Sequence, residues 1–264
     1  MPQISYAIVG VIFGLIFGSA INAMVWRLKV GRSWVKGRSV CPDCGHTLAA
    51  RDLVPVVSWL LLGGKCRYCR KPIKDHPIVE LVTAVAFGLS AYALYPATSA
   101  GWIKLLLWLV LLVMLLVLAI YDARWMLLPD KVMIPLLLLA LAYAAVMAVV
   151  NRSPQMLIHA LVTAVLVGGA FYGVVFVSKG RAMGGGDIKL AAAMGLILGP
   201  RATAVAMLLA FNSAAIIGVV LMLAHRKGRR DQIAFGPFLV AGAIVAFLYG
   251  QQIVTWYLRI NGLY

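Results

Sequence analysis

The chain has 264 residues, 63% of them hydrophobic and 12% charged, with 24 Lys+Arg against 8 Asp+Glu and a net charge of +16. So few charged residues exclude a disordered chain, a fibrous repeat and an ordinary soluble domain. Apolar runs such as Ile103 to Ile120 and Val132 to Val150 are long enough to cross a bilayer as helices. The chain therefore reads as an all-α polytopic membrane protein of about eight transmembrane helices.

The first expected span is Ile4–Val25. No Lys or Arg precedes it and no small-residue cleavage site follows a short apolar core, so it reads as a retained helix rather than a cleavable signal. Gly10, Gly14 and Gly18 recur every four residues along it, a small-residue face suited to packing within the bundle. Asn22 continues that face with a hydrogen-bonding group.

The large polar loop that follows holds all four cysteines, as Cys41-Pro-Asp-Cys44 and Cys66-Arg-Tyr-Cys69. Two CxxC pairs on tight turns bring four sulfurs to one tetrahedral zinc ion, and Gly45 and Gly63-Gly64 suit such turns. The gap between the pairs is slightly longer than the commonest ribbon spacing. A four-thiolate site is closed to water, so the zinc is expected to be structural, folding a loop too small for a core of its own. Four unrelated reduced thiols are the competing reading, with the paired spacing against it. His46 is an alternative ligand that four sulfurs make unnecessary.

The remaining expected spans are Pro77–Tyr95, Ile103–Tyr121, Val132–Val150, Met156–Val177, Ile188–Leu198, Ala202–Leu223 and Ile233–Gly250. The sixth of the eight is too short for a full crossing at 1.5 Å per residue, and is expected either to start deep in the bilayer or to extend back into the glycine run before it. Pro135 lies one turn inside the fourth, where proline is tolerated. His159 reads as a hydrogen-bonded core histidine and His225 as a solvated one. Trp102 and Trp256 fall where interfacial anchors are expected.

The loops sort by charge. Arg27–Lys74 holds eleven Lys/Arg, and alternation places nine more, in Asp122–Lys131, Lys179–Lys189 and Arg226–Arg230, on the same side. Only Lys104, Arg152, Arg201 and Arg259 fall opposite. By the positive-inside rule the rich side is cytoplasmic and the N-terminus lies outside. The same bias accounts for the basic composition without nucleic acid, and the basic loops suit anionic lipid headgroups. Four cysteines in a cytoplasmic loop favour metal over disulfides.

Three aspartates stand at span ends, where ionisable groups are functional suspects. Asp130 follows Pro129 at the start of a span and reads as a helix N-cap. Asp122 closes the third span, and Asp187 follows Gly184-Gly185-Gly186. That glycine run lacks the Lys-Ser/Thr ending of a nucleotide loop. It suits unusual backbone angles and the close approach of an extended substrate strand. Asp122 and Asp187 share one depth at the cytoplasmic ends of different helices. If they meet, they cannot easily both ionise: one serves as general acid while the other activates water against a carbonyl, as in an aspartic protease.

Several stretches in order resemble the bacterial type IV prepilin peptidases, the prepilin leader peptidase/N-methyltransferase family. They are GSAINAMVWRL (Gly18–Leu28), DLVPVVSWLLLGGKCRYC (Asp52–Cys69), HPIVE (His76–Glu80), YDARWMLLPD (Tyr121–Asp130), GGGDIKLAAAMG (Gly184–Gly195) and FGPFL (Phe235–Leu239). The resemblance implies an intramembrane aspartyl protease of the GxGD type in the bacterial inner membrane, with Asp122 and Asp187 catalytic and Gly184, Gly185 and Gly186 at the substrate. It implies removal of the short basic leader from prepilins and pseudopilins on the cytoplasmic side. It also implies N-methylation of the new N-terminus with S-adenosylmethionine as donor, the tetracysteine loop belonging to the bifunctional form and the region of Glu80 to methyl transfer. On this reading residues 1–26 are the first transmembrane helix, 27–76 the cytoplasmic zinc loop and 77–264 the protease core. Arg27-Leu28-Lys29 departs from the family's pattern, which places proline after Arg-Leu, away from the aspartates.

No glycine-rich strand–helix fingerprint marks a methyl-donor site. Asp43, Asp52, Asp75 and Glu80 are candidates for contact with the basic leader, against a solvated surface role for each. A proton-coupled transporter would want its acids near the bilayer midplane, whereas these cluster at one edge. A non-catalytic zinc-binding assembly factor would tolerate loss of either aspartate.

Overall fold

The computed structural model describes residues 2–33, 37–73, 77–181, 183–226, 228 and 231–262. Among these the regular elements are helices, with two isolated β-bridges in the cysteine loop. In chain order they are α1 (Pro2–Lys29), a 3₁₀ turn (Ala50–Asp52), α2 (Val57–Leu61), α3 (Ile78–Ala93), α4 (Ser99–Trp125), α5 (Asp130–Val150), α6 (Pro154–Val177), α7 (Gly185–Leu223) and α8 (Gly236–Ile260). By length and composition α1, α4, α5, α6, α7 and α8 are apolar enough to cross a membrane, while α3 is apolar but shorter. The chain divides into two compact units, Met1–Leu109 and Val110–Tyr264, with α4 running from one into the other.

In the first unit α1 packs on α3 through the glycine face. A Cβ on Gly14 would lie 2.6 Å from the Ala84 Cα and 2.7 Å from the Thr83 carbonyl oxygen, and one on Gly18 would lie 2.6 Å from the Glu80 Cα. The obstructing atoms are backbone, so the helices must part to admit a side chain. Close backbone approach of this kind is how helices associate where lipid removes the hydrophobic driving force. Gly14→Val is therefore expected to destabilise by about 1–3 kcal/mol, read as a lower melting temperature of the purified protein. An unchanged melting temperature would contradict the packing. Tyr6 meets Tyr95 and Trp102 at centroid distances of 5.3 and 5.7 Å, so aromatic rings gather the start of α1, the residues after α3 and the start of α4. Trp102 is in this cluster and Trp256 is exposed near the end of α8, placements that suit an interfacial role.

In the second unit α7 packs against α5, α6 and α8. The sixth and seventh expected spans lie end to end in α7, broken at Gly199, whose φ of 68° and ψ of −178° leave the helical region just before Pro200. The half-helix before the break begins at Gly185, within the glycine run, and still rises only about 21 Å. It abuts α6 where Gly195 meets the Ala164 and Thr163 backbone. His159 corrects an expectation: it is exposed, near exposed Ile158 and Val162 on the outward side of α6. The lone histidine signalled polarity but not the face it would occupy. His225 is exposed, as expected.

Candidate active site

Asp122 lies in the last turn of α4 and Asp187 in the first turn of α7, both within the second unit. Each is buried, 6% and 8% exposed respectively, which is unusual for carboxylates. Among the described residues Asp122 is the charged group whose field acts on the Asp187 carboxyl, so the structure brings the pair within electrostatic range.

Each acid is aimed by a glycine amide. Gly184 caps α7, and its N–H donates to Asp187 Oδ2 at 3.2 Å. Asp187 is thus the third residue of the helix, reaching back to the cap, rather than the cap itself. The N–H of Gly236, the first residue of α8, donates to Asp122 Oδ2 at 2.9 Å. A Cβ on Gly236 would stand 2.7 Å from that oxygen. The FGPFL motif contains this residue, yet sequence reasoning gave it no role. The available signal was a glycine followed by proline in a helix's first turn. Gly236→Ala is expected to push the Asp122 carboxyl out of place and cut cleavage by about tenfold or more. Asp122 and Asp187 need not move apart for this loss, so full activity in Gly236→Ala would remove the positioning role.

The glycine run divides. Gly184 and Gly185 are exposed beside Asp187, whereas a Cβ on Gly186 would lie 2.8 Å from the Leu128 Cβ. A Cβ on Gly185 would meet nothing within 4 Å, one on Gly184 would lie 3.7 Å from Asp187 Oδ2, and Gly186 packs on Leu128. Asp130 is a correction. Pro129 occupies the cap position of α5, no side chain caps the helix, and Asp130 Oδ1 accepts from Lys189 Nζ at 2.6 Å. The basic partner 59 residues away could not be seen from the local sequence.

In the first unit the sulfurs of Cys41, Cys44, Cys66 and Cys69 all lie within 4.8 Å of one another. Four sulfurs at about 2.3 Å from one ion stand roughly 3.8 Å apart, so the donor set fits tetrathiolate zinc. Cys41 to Cys69 is 4.0 Å. The two pairs fold alike. Cys41 N–H donates to the His46 carbonyl and Gly45 N–H to the Cys41 carbonyl, while Cys66 N–H donates to the Lys71 carbonyl and Arg70 N–H to the Cys66 carbonyl. Gly45 and Arg70 take the same left-handed conformation, with φ of 70° and 60°. Burial works against ionisation of Cys66, yet the amides of Cys69 and Tyr68 donate to its sulfur and bring the thiol down to about 7, poised for a thiolate ligand. His46 stacks on Tyr68 at 3.7 Å between centroids and is not gathered with the sulfurs.

Of the acids offered for leader contact, Asp43 is exposed and Asp75 lies outside the described residues. Asp52 is committed to the knuckles: it accepts from Arg67 Nε at 2.6 Å, Tyr68 Oη at 2.9 Å and the Ala49 amide at 3.1 Å. The Arg67 hydrogen bond holds its carboxyl below the ordinary range. Glu80, at the start of α3, accepts from the Val56 amide at 2.6 Å. Neither Asp52 nor Glu80 is a merely solvated surface acid, because loop backbone folds onto both.

Residues 12–94 match the family model of the bacterial peptidase A24 N-terminal domain, and residues 109–223 that of the type IV leader peptidase family. The chain is similar to proteins named prepilin leader peptidase/N-methyltransferase. One from Bacillus subtilis is 33% identical over 94% of this chain and 96% of the relative. Those from Aeromonas hydrophila and Pseudomonas aeruginosa are each 31% identical over 98% of this chain and over 95% and 96% of the relative. No solved structure matches the chain.

Proposed function

The chain belongs to the type IV leader peptidase family, and on that premise we propose that it removes the basic leader from type IV prepilins and pseudopilins and N-methylates the new N-terminus. It is a multi-pass protein of the bacterial inner membrane. The observation that carries the protease reading is the buried pair Asp122 and Asp187, within charge–charge range and each held by a glycine amide.

The chemistry follows from one proton shared by two carboxylates. The ionised member takes a proton from water as the oxygen attacks the scissile carbonyl, and the protonated member donates to the carbonyl oxygen. Collapse breaks the C–N bond, and the amine leaves with a proton. The exposed backbone of Gly184 and Gly185, with open space at Gly185, supports the approach of an extended substrate backbone beside Asp187. The charge bias of the loops supports an outside N-terminus, with the zinc loop and aspartates cytoplasmic, the pilin stem among the helices and basic loops against anionic headgroups.

The zinc of the tetracysteine cluster is structural on this reading. S-adenosylmethionine supplies an electrophilic methyl group when bound. The chain's part is to hold donor and amine together, and Glu80 is assigned to that task.

The test is intact-mass analysis after incubation with a prepilin and S-adenosylmethionine. Loss of the leader plus one methyl group establishes both activities. Loss of the leader alone retains the protease and removes the transferase, and no cleavage of any pilin-like precursor removes the proposal.

A further inference from the structure

The polar loop between α1 and α3 carries an apolar patch that the described residues leave uncovered. Leu53, Val54, Val57, Leu60 and Leu61 are all exposed, Leu60 and Leu61 to 62% and 81%. We infer that α2 lies in the bilayer surface, with these side chains set among the upper acyl chains of the leaflet on the loop's side. This goes beyond the attraction of basic loops to headgroups, because apolar burial rather than charge holds the helix.

The patch is one face of a helical stretch. Ser58 N–H donates to the Val54 carbonyl, Leu60 N–H to that of Val56 and Leu62 N–H to that of Ser58. Val57, Leu60 and Leu61 therefore stand on one side, at the spacing of helical neighbours. The other side is occupied within the first unit. Ser58, Trp59 and Leu62 line a cavity there, and the Trp59 ring comes within 3.0 Å of where a Cβ on Gly64 would stand. An apolar patch left open in a polar loop marks an interaction surface.

Position and charge select a bilayer as its partner. The Val56 amide, at the start of α2, donates to Glu80 Oε2 at 2.6 Å, and Glu80 is in the first turn of α3. Val56 stands at φ 61°, a conformation that a β-branched residue rarely adopts and that persists where surroundings hold it. The loop is thus fastened to the end of α3, which packs along the membrane-length helix α1. Ile78, Leu81 and Val82 at that end of α3 are exposed as well, so the patch adjoins apolar surface that a membrane covers. Arg51, Lys65, Arg70 and Lys71 are exposed in the same loop. An apolar face accompanied by cations is the pattern of helices that lie in the headgroup and acyl-chain boundary. A prepilin, whose leader is basic, would meet like charge here.

The test uses the full-length protein, one chain per nanodisc, in phosphatidylcholine with and without phosphatidylglycerol. A lipid carrying a diazirine on its upper acyl chain is photolysed, and adducts are mapped to peptides, with those on α6 as the internal standard. Adducts are expected within residues 53–61 in both lipid mixtures and at high salt, and Leu60 and Leu61 are expected to resist hydroxyl-radical oxidation. Leu60→Ser with Leu61→Ser is expected to cut the adducts in 53–61 by about fivefold or more. Zinc content and melting temperature check the fold of that variant, and the wild-type adducts decide without it. Ready oxidation of Leu60 and Leu61 with no adducts in 53–61 overturns the inference. Adducts that need phosphatidylglycerol and vanish at high salt reduce the contact to headgroup attraction and also overturn it. Protection that appears only when a prepilin is added, or only in discs holding two chains, assigns the patch to pilin or to a second copy instead.

Discussion

Asp122→Asn and Asp187→Asn each reduce leader cleavage by on the order of 10³-fold or more, with little change in melting temperature. The amide keeps the volume of the acid and one carbonyl oxygen. Asn at 122 can still accept from the Gly236 amide, and Asn at 187 from the Gly184 amide, the bonds that position the natural carboxylates. What the amide loses is proton exchange. It can neither deprotonate water nor pass a proton to the carbonyl, and two such roles need two titratable groups. Each single variant should therefore be nearly as inactive as the double variant, as expected for groups that act as a unit. The measurement is the initial rate of leader loss from a prepilin by mass spectrometry. A variant retaining more than roughly a tenth of the rate would be inconsistent with proton transfer through that residue.

Loss of zinc is the second large effect. Cys66→Ser is expected to reduce bound zinc from one per chain to near zero, measured by elemental analysis, and to open the loop to limited proteolysis. Cys41 and Cys66 are the buried ligands of their knuckles. Around them the 3₁₀ turn and α2 bury few side chains of their own. Binding of structural zinc contributes about 10–16 kcal/mol in small domains, far more than so small a loop can gain from packing. Methyl transfer should fail with the loop. A zinc-free protein with a protease-resistant loop would show that the sulfurs do not hold the fold.

The readable part of this chain was local or periodic. Span positions follow from apolar runs, and the break at Gly199-Pro200 falls between two expected spans. The cysteine pairs declare themselves by spacing, and the Gly10, Gly14 and Gly18 face by its four-residue repeat. The unreadable part was long-range. Asp130 met Lys189, and Asp122 met an amide 114 residues later. His159 showed no local cue to the face it would occupy. Asp52 and Glu80 lay in a stretch that a composition-based reading treats as surface, because their donors are loop amides and side chains brought near only by folding.

The bond between Asp122 and Gly236 also has a consequence for timing. The ribosome makes α8 after both α4 and α7. A nascent chain that already carries both aspartates still lacks the amide that orients one of them. The site is thus completed only once α8 has been made, so an unfinished enzyme already threaded into the membrane has no fully assembled centre with which to cut its neighbours. A chain ending at Leu223, the end of α7, would contain every residue of the dyad and remain in that immature state.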